Sequence, residues 1–281
     1  MESTRRTLSD LFHSFVPPEY RDTGEQAMTP EQLAQRQCEW YNESEGSLTG
    51  LDCPECKNRG YFEALDENGY RVKRECRCMA QRRYINMMQS AGLGDLYERC
   101  TFDRYIVSAD WQRRNKETAM RYAAQDGNAW FLFAGASGCG KTHLCTAICS
   151  ELAKRGRGIR YVQWRRLYDK LLQTRFKEAE QEQLFAECTD ADVLYLDDFL
   201  KTPDNIAPSA DMLAYALEIV DARYKAEKRT IFSTEFMIDE LCGFDEALGG
   251  RIRERTLGNK VMNLREAGRN YRMRGAGNGT G

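Results

Sequence analysis

The second half of the chain alternates short apolar runs with longer amphipathic segments. The runs lack a period-2 pattern of polar positions, which is typical of strands that are buried on both faces of a parallel sheet. They occupy residues 130–133, 159–162, 193–196, 230–232 and 261–264. Between the third and fourth runs, Leu213, Leu217 and Val220 recur on one face of a helix. This alternation of strands and helices predicts an α/β domain with a parallel sheet.

The polarity of the chain changes at several points and predicts its domain organisation. Prolines and polar stretches interrupt the first fifty residues, and a glycine-rich stretch ends the sequence. We expect a helical and partly disordered N-terminal region at 1–50, a cysteine-rich module at 51–80, a helical linker region at 81–126, the α/β domain at 127–274 and a disordered tail at 275–281.

The composition limits the location and the partners of the protein. The formal net charge is -2, so a nucleic-acid partner would have to meet a local basic surface rather than an overall positive charge. The sequence has neither an apolar run of about 18 residues nor an apolar segment near its start. Its 11 cysteines, without a secretion signal, favour metal ligation or burial in a reducing compartment. We therefore expect a cytoplasmic protein that is not associated with a membrane.

Residues 135–142 match the complete phosphate-binding pattern G-x-x-x-x-G-K-T, between the first apolar run and a helix. Its glycines let the loop wrap tightly, so that backbone N–H groups and a helix N-terminus face the phosphates. Lys141 would reach the β- and γ-phosphates of ATP, and the hydroxyl of Thr142 would bind Mg²⁺. The predicted nucleotide-binding residues are Gly135, Ala136, Ser137, Gly138, Cys139, Gly140, Lys141, Thr142 and His143.

Two carboxylates, Asp197 and Asp198, follow the third apolar run. Asp197 suits a magnesium site that it would share with Thr142, and Asp198 suits the residue that orients or deprotonates the attacking water. The alternative is a strand that merely ends in solvated acids. Together with the phosphate loop, the pair predicts an ATPase that uses Mg²⁺.

The order of these motifs resembles the AAA+ class of ATPases. The resemblance implies a parallel sheet of order 5-1-4-3-2 and a polar residue after strand 4 that senses the γ-phosphate. Glu235 takes that position here, where the class usually has Asn. Residues 249–255 are similar to the segment that carries an arginine finger to a neighbouring subunit, with Arg251 as the first candidate and Arg255 as the second. An exposed basic helix is the alternative. The implied catalytic residues are Asp198, Asp197, Lys141, Arg251 and Glu235, and the implied assembly is a homo-oligomer.

Several short segments narrow the resemblance to the DnaC/DnaI family of bacterial replicative-helicase loaders. They are residues 101–103, 140–144, 257–259 and 270–272, together with the double-Asp strand. The resemblance covers about residues 95–274 and implies little or no C-terminal lid. It also implies an ATP-dependent protein, bacterial or phage-encoded, that loads a hexameric DnaB-like helicase onto single-stranded DNA during replication initiation.

Two other functions remain open at this stage. An IstB-like transposase helper shares the ATPase core, although a helical N-terminal region would then be expected in place of the cysteines. A nucleotide-dependent binding switch with negligible turnover is the other alternative, and Glu235 at the sensor position keeps it open.

The cysteine-rich module carries a C-x-x-C pair, Cys53 and Cys56, and a C-x-C pair, Cys76 and Cys78. Between the pairs, Asn68-Gly69 is a strong signal for a hairpin turn. A hairpin there would bring the four thiolates together around a structural Zn²⁺ ion, which replaces a core too small to form by itself. An iron–sulfur cluster and cysteines without a metal are the alternatives.

A stretch after the second apolar run combines aromatic and basic residues, which suits single-stranded DNA. The predicted DNA contacts are Trp164, Arg165 and Arg166, with Tyr168, Lys170, Arg175 and Lys177 nearby. A surface helix whose leucines face the core and whose charges are solvated is the alternative. We assign helicase binding to residues 1–80, where Leu11, Phe12, Phe15 and Val16 could share one helix face.

Overall fold

The computed structural model describes residues 28–91, 93–202 and 206–263, which form two compact units. The first unit contains residues 28–45 and 61–74, and the second contains the remaining described residues. The module predicted at 51–80 is therefore divided, because its cysteine-bearing segments belong to the second unit. The predicted apolar face near Phe12 and Phe15, the segment 270–272 and the tail at 275–281 lie outside the described residues.

The first unit consists of one helix and a hairpin within the described residues: α1 (Pro30–Glu43), β1 (Tyr61–Leu65) and β2 (Arg71–Glu75). Thr29 caps α1 through a capping box with Gln32. The carboxylate of Asp66 accepts hydrogen bonds from the N–H groups of Asn68 and Tyr70 and so shapes the turn between the strands. The prediction of a hairpin around Asn68 is confirmed.

The second unit follows the predicted alternation of strands and helices. Its elements are α2 (Cys78–Ser90), α3 (Gly94–Arg99), α4 (Asp110–Ala124), β3 (Phe131–Gly135), α5 (Lys141–Lys154), β4 (Ile159–Gln163), α6 (Trp164–Gln173), α7 (Glu178–Thr189), β5 (Val193–Asp197), α8 (Ala210–Lys225), β6 (Arg229–Thr234), α9 (Ile238–Phe244), α10 (Glu246–Arg255) and β7 (Lys260–Asn263).

Within the described residues, these strands form a five-stranded parallel sheet of order β7-β3-β6-β5-β4. This arrangement confirms the order 5-1-4-3-2 that the resemblance to AAA+ proteins implied. The central strands β3, β5 and β6 are buried along their whole length, which explains the apolar run that each of them contains. The described residues end with β7, and among them no helix is long and apolar enough to cross a membrane.

Alternate residues of β3 enter two separate cores on the two faces of the sheet. Leu132 and Ala134 pack into one core, while Phe131 and Phe133 pack into the other. The parallel arrangement directs the carboxyl ends of β3, β5 and β6 toward the same edge of the sheet, which is where ligands bind in open α/β sheets. The candidate site lies there.

Candidate functional site

The phosphate loop connects the end of β3 at Gly135 to the start of α5 at Lys141. Gly138 and Gly140 have φ angles of 76° and 93°, in the left-handed region that favours glycine. At Gly140 there is a second requirement, because an added Cβ would lie 2.9 Å from the ring of Tyr105. The loop thus presents the N-terminus of α5 and its free N–H groups at the sheet edge, an arrangement suited to phosphate.

The ammonium group of Lys141 is held inside this loop. It donates hydrogen bonds to the carbonyl oxygens of Gly135 at 2.9 Å and Ala136 at 3.0 Å, and the side chain is buried. These contacts keep a positive charge within the curve of the loop, where the phosphates of a nucleotide would lie.

The carboxylate of Asp197 is surrounded by hydroxyl groups. Among the described residues it accepts hydrogen bonds from Thr142 at 3.3 Å, Tyr161 at 2.9 Å, Tyr195 at 2.7 Å and Ser233. Burial and the nearby charge of Asp197 raise the pKa values of both tyrosines, so their hydroxyls remain donors at neutral pH. Thr142 and Asp197, the predicted ligands of Mg²⁺, are therefore neighbours, although they are 55 residues apart in the sequence.

The turn that follows β5 has an unusual backbone. Asp198 and Leu200 have φ angles of 52° and 59°, a conformation that costs on the order of 1 kcal/mol or more for residues other than glycine. The N–H of Asp198 donates to Ser233 at 3.0 Å, which attaches the turn to β6. Lys201 follows in the same turn, and its ammonium group lies 3.3 Å from the carboxylate of Asp198 and 3.1 Å from that of Glu235. Lys201 was not among the predicted site residues, and its position three residues after Asp198 was the available signal.

A cavity of about 580 Å³ opens beside the phosphate loop, within the usual size range of small-molecule sites. The loop residues 137–143 line it together with Asp198, Lys201 and Glu235. Its remaining wall comes from the segment that precedes the sheet: Leu96, Arg99, Cys100, Arg104, Tyr105, Ile106 and Gln112. None of these residues was among the predicted site residues, and the motif at 101–103 was the only sequence signal near them.

Tyr105 and His143 meet at this cavity, with ring centroids 5.2 Å apart in an edge-to-face arrangement. The Nε2–H of His143 donates to the carbonyl of Thr101 at 2.8 Å, and burial lowers the pKa of the imidazole, which favours its neutral form. The hydroxyl of Tyr105 is buried and has no hydrogen-bond partner among the described residues. A polar atom in that position is available to a ligand.

The two candidate arginine fingers are held within their own chain. Arg251 forms an ion pair with Asp221 at 2.7 Å and donates to the carbonyl of Ala247 at 2.9 Å. Arg255 lies over the ring of Trp130 at 6.0 Å and donates to the carbonyl of Asn128 at 3.2 Å. Neither belongs to the described lining of the cavity, so a finger role requires the cavity of another copy of the chain.

The prediction that Trp164 stacks on DNA is wrong. Its side chain is 0% exposed and packs edge-on against Phe199, with ring centroids 4.9 Å apart. Arg165 and Arg166 are exposed, as predicted, and Arg165 pairs with Asp169 at 3.1 Å. The aromatic residue that this region does expose is Phe176, in the turn between α6 and α7, where 89% of the residue is accessible. The hydrophobic pattern alone did not separate these two rings.

The four predicted metal ligands do come together. All are buried, and the sulfur atoms of Cys53, Cys56, Cys76 and Cys78 lie within 4.8 Å of one another. The Sγ–Sγ distances are 3.8 Å for Cys53–Cys76 and 3.6 Å for Cys56–Cys78. A tetrahedral site with metal–sulfur bonds of about 2.3 Å has sulfur–sulfur edges of about 3.8 Å. The donor set and its spacing therefore fit a tetrahedral metal ion.

Backbone hydrogen bonds and one arginine support the cluster. The N–H of Gly60 donates to the sulfur of Cys56 at 3.2 Å. Burial opposes ionisation, but this bond and the neighbouring thiols lower the pKa of Cys56 to about 7. Arg82, on α2, donates to the carbonyl of Thr49 at 2.6 Å and to the side chain of Asn58 at 3.1 Å. The segment that carries Cys53 and Cys56 is thereby attached to α2.

The parallel sheet, the phosphate loop and the acidic end of the neighbouring strand define an ATP-binding domain of the AAA+ class. The chain belongs to the family of IstB-like ATP binding proteins, whose family model matches residues 57–271.

Two individual proteins and one solved structure are also similar to this chain. The chain is 29% identical over 195 residues to the replicative helicase loader DnaC of Escherichia coli (strain K12), which covers 68% of this chain and 75% of the relative. It is 28% identical over 231 residues to the phage-like element PBSX protein XkdC of Bacillus subtilis (strain 168), with coverages of 75% and 82%. A crystal structure of the DnaC helicase loader shares the fold with a TM-score of 0.51 and 20% identity, over 60% of this chain and 98% of that one. The resemblance to helicase loaders is confirmed.

Proposed function

We propose that this chain is an ATPase that loads a hexameric replicative DNA helicase onto single-stranded DNA. One contact carries the ATPase part of the proposal. The hydroxyl of Thr142 donates to Asp197 at 3.3 Å, and this joins the phosphate loop to the acidic end of β5 beside one cavity. The similarity to DnaC, which is named a replicative helicase loader, supports the loading part.

The predicted site residues have distinct tasks in the proposed reaction. The loop N–H groups and Lys141 bind the phosphates of ATP. Thr142 and Asp197 would hold Mg²⁺, whose charge would offset that of the phosphates. Asp198 orients the attacking water and accepts its proton, so that ADP and inorganic phosphate are released. Arg251 acts at the cavity of a neighbouring copy.

Two substitutions test the ATPase proposal because they separate binding from turnover. Lys141→Ala removes a direct phosphate contact, so we expect it to abolish ATP binding. Asp198→Asn keeps the shape of the side chain and removes the base, so we expect near-normal binding and a loss of turnover. The measurements are titration with a fluorescent nucleotide and a phosphate-release assay. Undiminished affinity in the Lys141 variant would contradict the assignment.

We propose single-stranded DNA and a helicase as partners, on different surfaces. Arg165, Arg166 and Phe176 offer cations and a stacking face to DNA. On α1, Leu33 and Trp40 are exposed and lie seven residues apart, on one face of the helix, which suits docking in a groove of the helicase. The double variant Leu33→Ala/Trp40→Ala should lose the helicase in a pull-down while it still binds ATP. Unchanged capture would contradict this surface.

Zinc is the proposed occupant of the cysteine cluster. Among the described residues the cluster consists of four cysteine sulfurs and no histidine, a donor set typical of a structural site rather than a catalytic one. Elemental analysis of the purified chain should find one zinc per chain, and iron in its place would favour an iron–sulfur cluster.

A binding switch with negligible turnover is a second candidate. It is favoured by the contact between Lys201 and Asp198 at 3.3 Å, because an ammonium group at that position competes for the proposed base. Phosphate release measured with and without single-stranded DNA separates the two functions, since a switch would stay inactive in both conditions. The family also includes IstB-like proteins, so a transposase helper remains the third candidate, and a transposase gene beside this one would favour it.

A further inference from the structure

Lys201 occupies a place in the cavity that no motif explains. It lies between two carboxylates, 3.3 Å from Oδ2 of Asp198 and 3.1 Å from Oε1 of Glu235. Asp198 directly follows Asp197, which contacts the phosphate loop through Thr142 at 3.3 Å. Through Asp198 and Asp197, the ammonium group of Lys201 is thus connected to the part of the site that would hold Mg²⁺ and the terminal phosphate.

The negative charge of Glu235 makes this residue a poor phosphate sensor. A carboxylate repels a phosphate group, and the repulsion is stronger in a partly buried site than in water. Glu235 is itself buried and directly follows β6. A buried carboxylate is therefore better suited to hold a cation than to contact the γ-phosphate directly.

The ammonium group of Lys201 can bind one more acceptor. It has three N–H donors, and its two carboxylate contacts use two of them. Burial alone would lower the pKa of Lys201, but the charges of Asp198 and Glu235 outweigh burial and raise the pKa above its usual value. The side chain is 37% exposed and lines the cavity, so a ligand can reach it.

The backbone holds Lys201 firmly in this position. The N–H of Phe199 donates to the carbonyl of Ser233 at 2.7 Å, and the hydroxyl of Thr234 donates to the carbonyl of Phe199 at 2.8 Å. The left-handed conformations of Asp198 and Leu200 lie on either side of this attachment. Strained backbone that is held this tightly often serves a binding site.

We propose that Lys201 contacts the γ-phosphate of ATP and that Glu235 is a positioning residue for Lys201 rather than the sensor itself. This inference rests on the proposed ATPase function. Lys201 then distinguishes nucleotides with a γ-phosphate from those without one, and Glu235 sets the direction in which its ammonium group points.

The test compares two nucleotides on the full chain with Mg²⁺: fluorescent ADP and a fluorescent ATP analogue that cannot be hydrolysed. Lys201→Ala should weaken binding of the ATP analogue by about 10-fold to 100-fold, the usual range for a lost hydrogen bond to a charged group, and change ADP binding less than about twofold. Lys201→Arg should restore part of the difference. Lys154→Ala removes a lysine that pairs with Glu151 on the exposed face of α5, and this control should bind both nucleotides normally.

Glu235→Gln tests the positioning role separately. If Glu235 only repelled the phosphate, this variant would bind the ATP analogue more tightly. The positioning role predicts the opposite, a selective weakening of the ATP analogue that is smaller than in Lys201→Ala. If Lys201→Ala proves unstable on heating, Lys201→Gln takes its place.

Two outcomes would overturn the inference and leave the ATPase proposal intact. One is an equal loss of ADP and ATP-analogue binding in the Lys201 variants. The other is no loss in either. Wild-type protein that binds neither nucleotide would instead refute the ATPase proposal itself.

Discussion

The hydroxyl of Tyr161 donates a hydrogen bond of 2.9 Å to Oδ2 of Asp197. Tyr161 lies on β4, the edge strand, and Asp197 ends the neighbouring strand β5. Tyr195 donates to the other oxygen, Oδ1, at 2.7 Å. The two tyrosines therefore hold the carboxylate from both sides, and they fix the orientation that a magnesium ligand needs.

We predict that Tyr161→Phe weakens the response to Mg²⁺ without unfolding the site. The substitution removes one hydrogen bond to Asp197 and keeps the ring in the core, so turnover at limiting Mg²⁺ should fall by roughly 10-fold, the lower end for a lost partner of a metal ligand. A magnesium titration of phosphate release measures this. Tyr168→Phe is the matched control, because its hydroxyl contacts Ser209 at 3.1 Å, outside the cavity lining. Equal curves for both variants would contradict the prediction.

We predict that loss of the metal destabilises the ATPase domain and not merely the cysteine loop. Cys78 is the first residue of α2, and Tyr84 and Met88 of the same helix lie in the core that contains Leu152 of α5. Cys53→Ser or a chelator should therefore lower the melting temperature of the nucleotide-binding domain. Cys242→Ser is the control, because Cys242 lies outside the cluster, and it should leave the melting temperature unchanged. A melting curve unchanged by metal removal would refute this coupling.

We predict that Phe176→Ala weakens binding of single-stranded DNA. One stacked base contributes roughly 1–3 kcal/mol, so affinity should fall by about 5-fold or more. Tyr70→Ala removes another exposed aromatic residue, on the first unit, and should have no effect. Fluorescence anisotropy at two salt concentrations measures both variants.

Arg165 and Arg166 should behave differently from Phe176. Replacing both with Ala removes two charges that can meet phosphates, so the dependence of log affinity on log salt should lose about 1.4 units of slope on single-stranded DNA. Phe176→Ala should keep the wild-type slope. If all these variants bind DNA normally, the surface of α6 and the following turn is not the DNA site.

We predict that Arg251 acts in trans and that Asp221 holds it when it is not engaged. Arg251→Ala should leave ATP binding near normal and suppress turnover, since a finger can contribute about 10³–10⁵ in rate. An equal mixture of the Arg251→Ala and Lys141→Ala chains should recover activity, because one competent interface re-forms. The control is Arg253→Ala. Arg253 lies on the same helix as Arg251 and pairs with Asp239 of the preceding helix. A mixture as inactive as its parents would exclude Arg251 as a trans-acting finger.

Local chemistry made much of the site predictable. The spacing of Gly138, Gly140 and Lys141 is required by the backbone of the loop itself, since both glycines adopt left-handed conformations. The four metal ligands could be predicted in the same way, because the spacing of thiols around a turn is a local property. The central strands could be located because burial on both faces leaves a short apolar run in each of them.

The pairing of distant residues could not be read in the same way. Lys201 and Glu235 lie in different elements, and only the neighbouring positions of β5 and β6 bring them within 3.1 Å. The hydroxyls around Asp197 come from three further elements and have no common spacing. Trp164 and Phe176 illustrate the same limit, since aromatic residues close in sequence take opposite environments.

The sequence by itself determined the phosphate loop, the acidic strand end and the four metal ligands, and the order of the sheet came from the resemblance to AAA+ proteins. The tertiary structure alone decided which carboxylate faces which cation, which aromatic ring is exposed and which segment closes the cavity. The physical reason is the range of the interactions. Backbone conformation, ligand spacing and burial of a whole strand act over a few residues, whereas the ion pairs and hydroxyl contacts join residues that meet only when helices pack on the sheet.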